Sequence, residues 1–439
     1  MKRDLAVQHP LIQRLIEARN VTDALFAVVK PEFLYDRPIR ERHRIVFYVG
    51  HLEAFDRNLF AERLCALPAF APSLDALFAF GIDPVDEGFP TDQPADWPTF
   101  DIVRDYAERA RTQIDQALAT IDFERDGMTT ASPAQLLNVA IEHRLMHAET
   151  LAYMLHQLPL AQKAAPLSGR NASPAQARDA VRALAAPAMM SVPAGPTVLG
   201  IAKESGQFGW DNEFGELRVD VPEFEIDRYM VTNGEYRDFI DAGGYRERAW
   251  WNDADWAWRE AEQIEHPVVW SRGHDDSADG NAWTLRTMFD DIPLPLDWPV
   301  YVSHAEASAY ARWAGKSLPT EAQWQRAAHG APQGVSGNFD FRNWNPQPVD
   351  AHPDNVSAFG VEGQFGNGWE WTATQFDALP GFEAFPFYLG YSANFFDGQH
   401  YVLKGGSART ALSMLRPSFR NWFQAHYQHV YAGFRCVRG

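Results

Sequence analysis

The run Glu142-His143-Arg144-Leu145-Met146-His147-Ala148-Glu149 carries the sharpest local chemistry in the chain. His143 and His147 stand four residues apart, which on a helix places them about 40° apart around the axis, so both imidazoles can reach one metal ion. Glu149 falls roughly 200° beyond His147 and is expected to pack or support rather than bind the same ion. With 14 histidines in 439 residues, chance alone supplies roughly 0.4 such pairs, so the spacing needs a third ligand before it carries weight. His51 offers one. Its neighbours Tyr48, Val49, Leu52 and Phe55 predict a partly buried position on a second helix. Three neutral nitrogen ligands on facing helices would leave positions open on Fe(II), Zn(II) or a similar ion. The same residues also allow a plainer reading, with His51 a hydrogen-bonded core histidine and His143 and His147 at the surface.

Positioning these side chains requires helices, and the first part of the chain supplies their period. Leu11-Ile12, Leu15-Ile16, Leu25-Phe26 and Val29 recur at three- and four-residue steps, and a second run extends from Arg44 to Phe60. Residues 99–121 place Val103, Tyr106, Ala107, Ala110 and Ile114 on one face. Ser132-Pro133 is a helix-start signal for a fourth run ending near Leu158. With one longer connection over 66–98, rich in Pro and Asp, these predict a four-helix bundle over residues 1–165. Residues 166–190, dominated by Ala, Pro, Ser and Arg, read as a connection that is partly helical around Ala175–Leu184. From 191 to 439 Gly, Asn, Trp and short β-branched stretches replace the helical period. Two good helices remain, Asn233–Ala242 and Ser303–Trp313, with a third short one capped by Thr320. That half is expected to be an α+β domain held by aromatic packing.

Composition limits the partners. There are 39 Lys and Arg against 58 Asp and Glu, a formal charge of -19. So acidic a surface repels phosphate backbones and anionic lipids, which argues against nucleic acid and membrane partners. The N-terminus carries no signal-peptide run, and no stretch approaches the ~20 apolar residues of a membrane span. Two cysteines, Cys65 and Cys436, make neither a disulfide framework nor a four-thiolate site, and a reducing cytoplasmic setting is expected. The 15 tryptophans suit a pocket for a small molecule.

The second half also carries a string of ordered motifs: Phe224–Tyr236 (around Asp227-Arg228-Tyr229-Met230-Val231-Thr232-Asn233), Pro299–Ala307, Gly315-Lys316-Ser317-Leu318-Pro319-Thr320-Glu321-Ala322-Gln323-Trp324, Gly366-Asn367-Gly368-Trp369-Glu370-Trp371-Thr372, Leu403-Lys404-Gly405-Gly406-Ser407 and Ala432-Gly433-Phe434-Arg435-Cys436. Together they resemble the formylglycine-generating-enzyme fold, a relative of the C-type-lectin fold. Each motif by itself reads as structural. The stretch Met414–Phe423 lacks the cysteine pair that formylglycine generation uses in that family, so that activity is not expected. A DinB-like bundle with three histidines followed by this fold resembles the EgtB-type sulfoxide synthases of ergothioneine biosynthesis, in a non-actinobacterial form.

That resemblance implies a non-haem iron(II) enzyme using O2 to join a thiol sulfur to the imidazole of hercynine (trimethylhistidine). It implies His51, His143 and His147 as iron ligands, and Asn421, within Arg420-Asn421-Trp422, as a contact to hercynine. Trp371 and Trp422 would wall the quaternary ammonium. The chain departs from the actinobacterial pattern at several places. Phe423 and Tyr427 stand where an acid and an arginine bind γ-glutamylcysteine, and Glu87–Thr91 lacks the paired arginines. Phe376 takes the place of the catalytic tyrosine, and Met146 that of a glutamine. Cysteine is therefore the expected donor, with a selenium-bearing sugar second. Tyr388 and Tyr391 are candidates for the displaced proton donor, with Tyr48 behind them. Two rivals stay open: a DinB-type zinc thiol transferase, and a lectin-like binding protein whose bundle only packs.

Overall fold

The computed structural model describes residues 9–79, 89–123, 132–164, 188–273, 283–334 and 336–439. Two compact units emerge. One comprises Met1–Pro166 with Glu204–Phe208 and Phe385–Gly390; the other comprises Leu167–Lys203, Gly209–Ala384 and Tyr391–Gly439. The helix expected around Ala175–Leu184 lies outside the described residues.

The first unit contains α1 (Pro10–Phe26), α2 (Ile45–Arg63), α3 (Pro72–Leu77), α4 (Phe100–Leu118) and α5 (Pro133–Gln157). α1 packs on α5, and α2 packs on both α4 and α5. Proline opens α1 and α5, where its missing N–H costs no helical bond, and the Ser132 side chain accepts from Gln135 N to cap α5. The predicted face of α4 is the buried one: Val103, Tyr106, Ala107, Ala110 and Ile114, extended by Leu118. α5 is buried nearly all round, which makes it the central helix and explains its weak apolar stripe. The connection 66–98 is not continuous loop. It folds α3, whose end delivers Phe78 to the core.

The second unit holds β1 (Met189–Val192), β2 (Gly195–Leu199), β3 (Leu217–Val221) and β4 (Phe224–Asp227), then α6 (Asn233–Asp241) and α7 (Asp253–Ala261). There follow β5 (Trp270–Arg272), β6 (Trp283–Arg286), β7 (Asp291–Pro293), α8 (His304–Trp313) and α9 (Glu321–Ala327). Strands β8 (Gly368–Gln375), β9 (His400–Gly406), β10 (Asn421–Gln424), β11 (Ala432–Gly433) and β12 (Val437–Arg438) complete it. The central sheet runs β10-β9-β8-β11, with β11 parallel to β8 and the other pairs antiparallel. Reciprocal capping boxes start α6 (Thr232 with Glu235), α8 (Ser303 with Glu306) and α9 (Thr320 with Gln323). α7 was not expected from sequence. Its N-cap is Asn252, whose side chain accepts from Asp255 N.

The motif residues build this unit. Arg435 donates to both carboxylate oxygens of Glu370, at 2.6 and 2.7 Å, and Trp324 Nε1 donates to the same group at 2.8 Å. All three side chains are buried. Gly405 has φ +90°, and a Cβ there would stand 2.5 Å from the Gln364 carbonyl, so the close strand-to-loop approach demands glycine.

Candidate metal centre

His51 on α2 and His143 and His147 on α5 come together inside the first unit, all buried. Nε2 of His147 lies 3.3 Å from Nε2 of His51 and 3.1 Å from Nε2 of His143. Two nitrogens bound to one ion at right angles, with bonds of about 2.1 Å, would stand about 3.0 Å apart. The ligand set therefore fits a single ion. It is the one group of its kind among the described residues, and neither Glu149 nor any other carboxylate belongs to it.

The rings are held ready for this role. His51 Nδ1–H donates to the Phe78 carbonyl at 2.8 Å, which fixes the tautomer and leaves Nε2 as a lone pair. Phe47 stacks on His51 at 4.8 Å, and Phe55 stacks on His143 at 3.5 Å. Burial, above all, pushes the His51 imidazolium down to about 4. It also holds His143 and His147 well below the ordinary imidazole value, helped by repulsion among the rings and from Arg144. All three are neutral near pH 7, the form that binds metal.

Charge locks the helix register. Arg144, fully buried beside His143, donates to Glu53 at 3.0 Å, to Asp56 at 2.7 Å and to the Leu52 carbonyl at 3.0 Å. Glu53 also receives Arg111 from α4 at 2.8 Å, and Arg111 reaches on to Asp23 of α1. Glu53 and Asp56 follow His51 on α2. The network thus ties the helix bearing one ligand to the helix bearing two. The sequence reading missed it, because facing charges show in a sequence only after the helix pairing is known.

Tyr388 belongs to this first unit. Its ring meets His143 edge-on at 6.1 Å and Phe55 at 5.3 Å. The other tyrosine candidate, Tyr391, stacks on Trp210 at 4.1 Å and meets Trp422 at 5.3 Å in the second unit. Phe376 is buried there too, stacked on Trp422 at 4.3 Å with the Arg420 guanidinium over its ring. Trp371 is fully enclosed, its Nε1 donating to the Val302 carbonyl at 2.8 Å. Asn421 begins β10, where its side-chain oxygen accepts from Trp422 N, and Phe423 stacks on Tyr427 at 5.0 Å. Met146 is half-buried on α5 between the two ligands.

Residues 14–151 match the DinB superfamily, and residues 174–439 match the sulfatase-modifying factor enzyme 1-like domain. The hercynine oxygenase of Mycolicibacterium smegmatis is 34% identical over 346 residues, covering 73% of this chain and 75% of that protein. The chain belongs to the hercynine oxygenase family. The hercynine oxygenase of Mycolicibacterium thermoresistibile is 39% identical over 263 residues, 55% of this chain and 56% of that protein. Ergothioneine biosynthesis protein 1 of Schizosaccharomyces pombe is 27% identical over 443 residues, 92% of this chain and 53% of that protein. The chain thus matches little more than half the length of these last two relatives. Family membership accounts for both halves of the molecule, a DinB bundle with a histidine triad and a sulfatase-modifying-factor-like domain.

Proposed function

We propose that this chain is an iron(II)- and O2-dependent sulfoxide synthase that joins the sulfur of a thiol to the imidazole of hercynine, as a step of ergothioneine biosynthesis. The observation that carries this reading is the convergence of three buried imidazole nitrogens, with no carboxylate among the described residues joining them, in a family whose members are named hercynine oxygenases. Fe(II) held by His51, His143 and His147 would supply the activation of O2. In the net reaction one oxygen atom ends on sulfur. The other leaves as water with the hydrogens of the S–H and the imidazole C–H, so O2 takes up all four electrons.

The chain's own residues supply the rest. Neutral ligands leave a dication uncompensated, which favours an anionic thiolate as partner. Phe47 and Phe55 keep water off the ligand ring faces. Tyr388 is assigned as the group that holds a proton beside the triad, since Phe376 has none to give. Asn421 and Trp422 are assigned to hercynine, while Trp371, enclosed and bonded to the Val302 carbonyl, keeps a structural part. Phe423 and Tyr427 offer no charge to a γ-glutamyl group, and a desolvated carboxylate without a partner is costly. Cysteine is therefore the assigned donor.

Oxygen uptake with hercynine and either cysteine or γ-glutamylcysteine tests the reading. Cysteine should be preferred by at least ~10-fold in kcat/KM, a difference of only about 1.4 kcal/mol. Equal turnover of the two thiols would remove the donor assignment. Turnover of a selenol in their place would move it to selenium. Bound zinc with thiol transfer and no oxygen uptake would replace the whole reading.

A further inference from the structure

We infer that a cleft in the second unit, separate in its residues from the histidine triad, binds a small oxyanion of the carboxylate or phosphate class. The cleft holds about 360 Å³ where the β2–β3 hairpin packs on α9, a size at the lower end of small-molecule sites. Its polar lining is Arg218, Arg326, His329, Gln325, Gln333 and Thr197, with no acidic residue among the described residues that line it. That departs sharply from a chain with 58 acids and 39 bases.

Its cations are uncompensated. Arg218 lies opposite Val198 in the hairpin, is exposed, and has no hydrogen-bond or ion-pair partner among the described residues. Arg326 is held without being neutralised. Its Nη2 donates to the carbonyls of Pro193 and Ala194 at 3.1 and 3.5 Å, its Nη1 to that of Pro196 at 3.5 Å, and the Phe359 ring lies 5.1 Å away. Gly195 makes room for this arrangement, because a Cβ there would stand 2.5 Å from Nη2. Arg326 Nε and Gln325 Oε1 are buried without hydrogen-bond partners among the described residues.

Guanidinium groups present planar, forked N–H donors that match oxyanions, and two of them with an imidazole and no counter-charge select for negative ligands. Free carboxylates and phosphate esters share this chemistry. The glutamine amides add neutral contacts that either class accepts.

The test is calorimetric titration of the full chain with inorganic phosphate and, separately, with malonate, at ionic strength held constant with chloride. Saturable binding of at least one ion is expected, weakened at least ~10-fold in Arg218→Gln and more in Arg218→Glu, as the loss of one charge-assisted contact requires. Arg218 is exposed, so the melting temperature of both variants should match the parent. Arg326→Gln, with its fold checked by melting, should weaken binding as well. Binding of phosphate alone assigns the site to phosphate esters, and binding of malonate alone assigns it to carboxylates. No saturable heat for either ion, or undiminished affinity in Arg218→Glu, overturns the inference.

Discussion

His51 reaches the triad with its proton already placed, because Nδ1–H is committed to the Phe78 carbonyl and only the lone pair of Nε2 remains to offer. That contact depends on Gly50. A Cβ at position 50 would lie 2.5 Å from the Phe78 ring, so Gly50→Ala must push Phe78 away and loosen the carbonyl from His51. Losing such a support to a ligand costs about 10–100-fold in metal affinity. Gly50→Ala should therefore weaken metal binding by at least ~10-fold in a competition titration, although alanine is the better helix former by about 1 kcal/mol. An unchanged affinity would show that Phe78 does not orient the ring. The proton donor can be tested by product ratio. Tyr388→Phe should shift the ratio of coupled product to cysteine sulfinate far more than Tyr391→Phe does, since Tyr388 lies beside His143 and Tyr391 stacks on Trp210. A larger effect from Tyr391→Phe would reverse the assignment. The triad was legible in the sequence because ligand chemistry is restricted to a few residue types at helical spacing. Phe78 was not, because its backbone carbonyl is the acting group and every residue has one.

At the scale of elements, the register of α2 against α5 decides whether three histidines meet. Arg144 pins it from α5 by pairing with Glu53 and Asp56 of α2. Arg144→Met should leave the buried Asp56 carboxylate without its cation and Glu53 with Arg111 alone, at a cost of about 3–5 kcal/mol. Chemical denaturation would read that loss directly, and a change under ~1 kcal/mol would mean that the pairs are not what joins the helices. Metal affinity should fall with it. Adding Glu53→Gln and Asp56→Asn should recover part of the stability, because the uncompensated charges then go. Periodicity located α1, α2, α4 and α5 within a turn, because each exceeds four turns and sustains its apolar pattern. It passed over α3 and α7. α3 has only 6 residues, too few to establish a period. In α7 the Trp256 and Trp258 pair stands two residues apart, a spacing closer to a strand than to a helix face.

Over the whole molecule, the two halves were legible to different degrees for different reasons. The bundle follows from hydrophobic spacing alone. The second unit has little regular structure, and its fold was readable only as an ordered set of motifs. The Glu370–Arg435 pair with Trp324 explains why: three separated motifs meet in one buried cluster, so each is needed and none by itself indicates the fold. The same packing limits what could be read about substrate. Trp371, expected to wall the quaternary ammonium, and Phe376, in the place of the catalytic tyrosine, are enclosed among other side chains, and only coordinates reveal that. The most direct test of the central claim is metal stoichiometry coupled to oxygen uptake. The full chain, loaded anaerobically with Fe(II), is mixed with hercynine, cysteine and O2, alongside His51→Ala, His143→Ala, His147→Ala and Glu149→Gln. The expected result is one iron per chain and one O2 consumed per hercynine converted, with both lost in each histidine variant and retained in Glu149→Gln. Full iron occupancy in any histidine variant, or oxygen uptake that does not depend on hercynine, would contradict it.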